Sequence, residues 1–319
     1  MGRNTQITTG LLDTDIEAYR AAEVSTKGIA WDTEDAPEVV NLPAALKTAE
    51  TIIKSWRRRV KASSYYMCFS SPVNFRKVID PQYKSNRKAE DKPKVLEDLV
   101  AALKDRHPVL EIHGLEADDV MGIYATGTSI QQPVIVSIDK DMQSLPAYFY
   151  NPDKSDRPIK SSIQRANRFW MAQTLIGDVI DGYKGCPGIG PKKAEKILGD
   201  LVSKDMWFAV LDTYTGKGLT EEDAVRNARL ARILRHSDWN PDTKEIRLWH
   251  PTQSTTLSTT TMGASKSSTS SSKSVPSTQD TKHPSSPTSS STSVALPSKG
   301  KRRRTSRRRN GTSTGSSSR

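Results

Sequence analysis

Val109-Leu-Glu-Ile-His-Gly-Leu-Glu-Ala-Asp-Asp-Val-Met-Gly-Ile-Tyr-Ala125, followed by Pro133-Val-Ile-Val-Ser-Ile-Asp-Lys-Asp141, decides the fold. Val109–His113 and Pro133–Ile138 are short apolar runs rich in β-branched residues, which read as buried strands. Ala117–Ala125 between them is helical in pattern. A strand, a helix and a second strand in so short a span pack as a crossover, with the strands parallel and the helix across the sheet. Acids stand at both turning points. Glu116, Asp118 and Asp119 open the helix, and Asp139 and Asp141 follow the second strand.

Toward the N-terminus the same alternation continues. Residues 1–9 are polar and read as frayed. Gly10–Leu12 is an apolar entry leading to Asp13 and Asp15, and Glu17–Glu23 is helix-like. Ala44–Lys61 reads as a long helix ending in Arg57-Arg58-Arg59. Tyr65–Phe69 reads as a buried strand, and Val95–Lys104 as an amphipathic helix. Residues 72–94 form an irregular basic stretch between them. Ala147–Tyr150 reads as a further strand. The expected class is α/β, with a mostly parallel central sheet flanked by helices on both faces.

From residue 161 the pattern turns helical, with Arg165–Gly177, Pro191–Leu198 and Met206–Leu211 as segments. Thr220-Glu-Glu-Asp223 is a capping box opening a helix to about Arg235. Ile246–Trp249 closes the folded part. Trp56 and Trp170 lie in helical contexts and read as core. Three units follow: an α/β domain at 10–160 with a basic loop at about 72–94, a helical region at 161–250, and a tail at 251–319.

Within the helical region, Gly177-Asp-Val-Ile-Asp-Gly-Tyr-Lys-Gly-Cys-Pro-Gly-Ile-Gly-Pro-Lys-Lys-Ala194 sets carboxylates beside a phosphate-binding pattern. Asp178 and Asp181 are three apart and would share one face of a helix. Gly188-Ile-Gly190 makes a tight turn into a helix beginning near Pro191. Backbone N–H groups at such a turn bind phosphate oxygens, and Lys192 and Lys193 add positive charge.

The formal net charge of +12 over 319 residues is unevenly placed. Residues 251–319 hold 12 of the 48 Lys and Arg and one of the 36 acids, which leaves 36 bases and 35 acids before them. A near-neutral body that binds a polyanion must use local basic patches and bound cations. The tail, mostly Ser, Thr, Lys, Arg and Pro, cannot bury enough apolar surface to offset its ordering entropy and is expected to be disordered. Its block Lys299-Gly-Lys-Arg-Arg-Arg304 and Arg307–Arg309 reads as an unspecific solubilising or DNA-tethering arm, with nuclear localisation as the alternative. Cys68 and Cys186 form no metal-type pair or disulfide framework. With no signal peptide and no apolar run of membrane length, a cytoplasmic protein is expected.

Taken singly, each acidic cluster has a local explanation in helix dipoles or turn chemistry. Together they stand at separate strand ends, and in open α/β sheets those ends face one crevice. Two carboxylates 4 Å apart repel by about 4 kcal/mol at an effective dielectric near 20. Such a crevice calls for cations, and the absence of clustered His or Cys favours Mg²⁺ or Mn²⁺ over zinc. Two such ions roughly 3.5–4 Å apart serve phosphodiester hydrolysis.

Leu115-Glu-Ala-Asp-Asp-Val-Met-Gly122, Ser137-Ile-Asp-Lys-Asp141 and Gly177-Asp-Val-Ile-Asp-Gly182 through Gly190 resemble, in order and spacing, the motifs of the 5′-nuclease (flap endonuclease) superfamily. Tyr83-Lys-Ser-Asn-Arg-Lys88 resembles its basic arch. Asp80–Tyr83, Ala231–Arg235 and Ile246–Pro251 look most like the 5′→3′ exonucleases of short-tailed bacteriophages. The resemblance spans residues 10–251. It implies a first metal held by Asp13, Glu116 and Asp118, with Asp15 and Asp119 beside them. Asp139, Asp141, Asp178 and Asp181 would hold a second metal or bridge to it. Lys84, Arg87 and Asp139 would be catalytic, with Arg76, Tyr83, Lys84, Arg87 and Lys88 on the DNA. Gly188, Gly190, Lys192 and Lys193 would belong to a helix–three-turn–helix over 178–199 that grips the duplex and also holds K⁺.

The implied activity is a Mg²⁺-dependent 5′→3′ exonuclease on duplex DNA, with Mn²⁺ as a substitute and 5′ flaps and RNA–DNA hybrids as further substrates. The implied setting is phage replication, recombination and host DNA breakdown in the host cytoplasm, with partners such as a single-stranded DNA-binding protein. One departure stands out: Ser71 occupies the place where relatives carry an aspartate, which predicts a raised metal requirement. The alternative reading is a non-catalytic DNA-end or junction-binding protein of the same fold.

Overall fold

The computed structural model describes residues 8–27, 41–87, 92–251 and 293–294. Lys88 and almost all of the tail lie outside them. Among the described residues no helix is long and apolar enough to cross a membrane.

The centre of the fold is β1 (Thr9–Asp13), buried along its whole length. It pairs in parallel with β2 (Ser64–Cys68) on one side and β4 (Pro133–Val136) on the other. β3 (Val109–Leu110) extends the sheet beyond β2, and β5 (Tyr148–Tyr150) extends it beyond β4, both in parallel. β6 (Ile159–Lys160) adds an antiparallel edge, giving the order β3-β2-β1-β4-β5-β6. The expected parallel sheet is therefore present, with β6 as an unforeseen last strand. The run from Val109 pairs for only two residues, because the chain turns at Gly114, whose φ is +85°.

Helices cover both faces, as expected. Leu12 and Met67 face α1 (Thr14–Lys27), α2 (Leu42–Arg59) and α4 (Leu96–Arg106) across one apolar core that includes Trp56, and the short α3 (Arg76–Ile79) lies between α2 and α4 in the chain. Leu11 and Ile135, one residue out of phase, face α5 (Ala117–Thr126) across the other. This is the period-two alternation of strand side chains. Leu11, Leu12 and Ile135 are fully buried, each contributing about 1.5–3 kcal/mol.

The helical region contains α6 (Ile163–Ile176), α7 (Pro191–Leu198), α8 (Ser203–Thr215) and α9 (Glu221–Ala231), which enclose a third core holding Trp170, Trp207 and Trp249. α9 opens on the expected capping box between Thr220 and Asp223, but ends at Ala231 rather than Arg235. The boundary expected at 160 is not clean. Ile233, Leu234, Trp239, Ile246 and Leu248 return to the core beneath α5. Helical pattern marks local structure only, and these apolar residues complete the first half's core rather than their own.

β9 (Trp239–Asn240) and β10 (Glu245–Arg247) form a hairpin there. β11 (Ser293–Val294), inside the stretch expected to be disordered, pairs antiparallel with β10. A two-residue ladder can form without a core of its own when an edge strand offers free backbone groups.

Candidate active site and nucleic-acid interface

Strand order places β1 between β2 and β4, so the crevice opens at the carboxyl ends of β1 and β4. Asp13 ends β1 and is 1% exposed. Its Oδ2 accepts a 2.6 Å hydrogen bond from Ser137 Oγ, just beyond β4. Burial, with Asp15 and Asp139 nearby, pushes its carboxyl up to about 7. Asp15, in the first turn of α1, accepts from Ser70 N at 3.0 Å, and burial raises it as well. Asp118, in the first turn of α5, is raised well above the usual carboxylate range by burial, then by Asp13, Asp139 and Glu116.

After β4, Asp139 Oδ1 accepts from Asp141 N at 2.8 Å, shaping the turn. Gln173 of α6 reaches over to donate to Asp141 Oδ1 at 2.7 Å. Burial, then Asp139, pushes Asp141 up to about 7.

A second group of acids is matched by cations from the arch segment. Lys84 Nζ lies 2.5 Å from Glu116 Oε1 and 3.5 Å from Asp181 Oδ1, and Arg87 Nη2 lies 2.9 Å from Asp181 Oδ1. Tyr83 Oη stands 3.1 Å from Glu116 Oε2 and 3.0 Å from Asp181 Oδ2, with one proton to share between them. Burial alone would raise Glu116, but Arg76 and Lys84 outweigh it and hold the carboxyl down to about 2. Lys140 Nζ stands 3.5 Å from Asp178 Oδ2.

Asp178 and Asp181 do not share a helix face. Gly177, with φ +76°, ends α6, and β7 (Gly177–Asp178) and β8 (Tyr183–Lys184) form a hairpin instead. A Cβ on Gly177 would lie 2.2 Å from Gly185 N, so the two backbones pass too closely for any side chain. Asp178 Oδ1 accepts from Ile180 N at 2.8 Å and Asp181 N at 3.3 Å, so the pair flanks a turn. The carboxylates still meet the crevice, through the hairpin tip.

Two expected site residues are engaged elsewhere. Asp119 is fully buried and takes Arg76 in a bidentate pair at 2.7 and 2.8 Å, along with Leu234 N at 3.0 Å. Arg76, expected on DNA, is 3% exposed and also donates to Leu230 O and Arg232 O. These two form an internal clamp rather than a metal ligand and a DNA contact. Tyr83 is 2% exposed and stacks on Tyr183, so its ring is not open to a base. Phe75 is buried too.

The turn at Gly188–Gly190 leads into α7 at Pro191, where the helix was expected to begin. Gly190 is the N-cap of α7, with Pro191 opening the helix. Gly188 has φ +74°, and Lys193 Nζ donates to Gly188 O at 2.8 Å. A Cβ at Gly188 or Gly190 would meet nothing within 4 Å, so this backbone faces open space. Lys192 and Lys193 are exposed.

Sequence reasoning did not single out Ser137, Ser70, Gln173 or Asn86. Asn86 Nδ2 donates to Val179 O and Ile180 O, fastening the arch segment to the hairpin tip. Serine and amide side chains carry no spacing signal, and only the fold brings them to their acids. Ser71, expected from the sequence at the family's aspartate position, is buried with its N donating to Leu115 O, and its Oγ accepts from Val73 N at 3.3 Å.

Asp13, Asp15 and Asp118 make no salt bridge among the described residues, although burial opposes the charge on each. Buried charges require compensation, and an all-oxygen donor set suits a hard divalent cation. The residues therefore fit such an ion in chemistry and burial. Among the described residues no three of these side chains already stand as a ligand cage.

Residues 8–154 match the family described as 5′-3′ exonuclease, N-terminal resolvase-like domain. The chain is 30% identical to the exonuclease of Escherichia phage T7 over 278 aligned residues, covering 76% of this chain and 93% of that protein. It is 29% identical to the exodeoxyribonuclease of Enterobacteria phage T3, covering 76% and 92%. Among solved structures, a phage T5 protein co-crystallized with metal ions superposes with a TM-score of 0.53 at 17% identity, covering 70% of this chain and 89% of that one. That likeness is one of fold.

Proposed function

The chain belongs to the 5′-3′ exonuclease family, and we propose that it hydrolyses phosphodiester bonds of duplex DNA from the 5′ end. The observation that carries this reading is the convergence of Asp13, Asp118 and Asp141, whose charged forms burial disfavours, on the crevice that also receives the hairpin acids. The open, glycine-built turn at Gly188–Gly190 supplies the grip.

Asp13, Glu116 and Asp118 would hold one Mg²⁺ with Asp15 in support, and Asp139, Asp141, Asp178 and Asp181 would hold a second. When bound, the two ions supply an activated water and neutralise charge on the leaving oxygen. Lys84 and Arg87, now on Glu116 and Asp181, turn to the phosphate and orient it. The N–H groups of the turn and Lys192 and Lys193 hold the duplex backbone without reading sequence. Mn²⁺ substitutes for Mg²⁺, K⁺ binds at the turn, and 5′ flaps and RNA–DNA hybrids are further substrates. The setting is phage replication in the host cytoplasm, with a single-stranded DNA-binding protein as a partner.

The deciding experiment uses a 5′-labelled duplex with Mg²⁺ and compares the native protein with Asp139→Ala. The native protein is expected to release labelled nucleotides, and Asp139→Ala to bind the duplex but cut at least 100-fold more slowly. Tight binding without cutting by the native protein would establish a non-catalytic end-binding protein instead. Chelation by EDTA is expected to abolish cutting and leave the protein folded.

A further inference from the structure

Val179 and Ile180 are 89% and 69% exposed, the two most exposed large apolar side chains among the described residues. They form the tip of the hairpin between Asp178 and Asp181. Turn positions favour Gly, Asn, Asp and Ser, and two β-branched residues gain nothing there locally. Isolated apolar residues on a surface need no explanation, but these two are adjacent and held in place. Within the hairpin, Ile180 N donates to Asp178 Oδ1 at 2.8 Å. From the arch, Asn86 Nδ2 donates to Val179 O at 3.2 Å and Ile180 O at 3.3 Å, and Lys84 N donates to Asp181 O at 2.8 Å.

Asp178, Asp181, Lys84 and Arg87 around the tip suit cations and phosphates. An aliphatic pair suits neither. A base-paired duplex presents charge along its backbone and hides its base faces in the stack, except at its end. The end face of the last base pair is the one broad apolar surface that such a substrate brings to the crevice mouth, and covering it removes apolar area from water on both sides. Aliphatic side chains packing on base steps are an established mode of DNA contact.

We propose that Val179 and Ile180 form a stop on which the terminal base pair of the bound duplex rests, fixing which phosphodiester enters the crevice. This inference rests on the exonuclease reading above. The two are positioning residues, acting on the register of the cut rather than on its chemistry.

The test measures product lengths from a 5′-labelled duplex and binding to a closed circular duplex, which has no end. Native protein is compared with the double variant Val179→Ser, Ile180→Ser and with Ile180→Trp. The native protein is expected to give one dominant product length. The double serine variant is expected to spread its cuts over at least three adjacent positions, and Ile180→Trp to move the dominant cut by one nucleotide. Circular-duplex binding is expected to change less than 2-fold in both. Because the sites face solvent, unfolding temperatures stay at the native value. A native register shared by both variants overturns this inference alone. A native protein that cuts no 5′ end overturns the exonuclease reading and this inference with it.

Discussion

Asp118 and Asp119 are neighbours in sequence with opposite fates. Asp118 faces the crevice without a salt bridge, while Asp119 is neutralised by Arg76 and by backbone N–H groups. Arg76→Ala therefore strands a buried carboxylate and is expected to destabilise the protein by about 3–5 kcal/mol, read by urea unfolding. A stability loss below 1 kcal/mol would return Arg76 to the DNA surface. Ser71→Asp tests the other discrepant position. Its backbone N donates to Leu115 O, the residue before Glu116, and a carboxylate there is expected to lower the Mg²⁺ concentration for half-maximal cutting several-fold. Unchanged metal affinity by titration calorimetry would sink the idea. The acids of the site were legible in sequence because carboxylates at strand ends form a pattern. Their pairing was not, since Arg76 meets its partners across 43 and 156 residues, a separation that no local period encodes.

Elements with strong local codes were readable. Thr220 and Asp223 announce α9, and Pro191 after Gly190 announces α7. The Asp178–Asp181 segment misled because its spacing also suits a helix, whereas Gly177 enforces a break. The turn before α7 invites a paired test. Gly188→Ala forces a left-handed conformation on alanine, costing about 1–3 kcal/mol, and is expected to lower the unfolding temperature. Gly190→Ala has an ordinary φ of −103° and open space for its Cβ. It is expected to leave stability unchanged and weaken duplex binding about 10-fold, as measured by fluorescence anisotropy. Equal binding by Gly190→Ala would show that no backbone approaches there. Lys192→Ala should weaken all duplex sequences alike and reduce the slope of log affinity against log salt by about 1.

At the scale of the molecule, charge is divided between a nearly neutral body and a strongly basic tail, as composition alone shows. Deleting residues 251–319 is expected to flatten the salt dependence of DNA binding. An identical slope would mean that the tail does not touch the polyanion. The sheet class was legible because alternating strands and helices leave few ways to pack. The return of residues 233–248 to the first core was not, because apolar residues do not state which core they join. That return sets an order in time. A ribosome adding roughly 5–20 residues per second needs several seconds to go from the end of β6 to Leu248. Until then the core beneath α5 lacks Ile233, Leu234, Trp239, Ile246 and Leu248, and Asp119 lacks its bond from Leu234 N. The nascent chain has the acids of its site, up to Asp181, well before it has the wall that holds them, so its capacity to cut arrives late in its own synthesis.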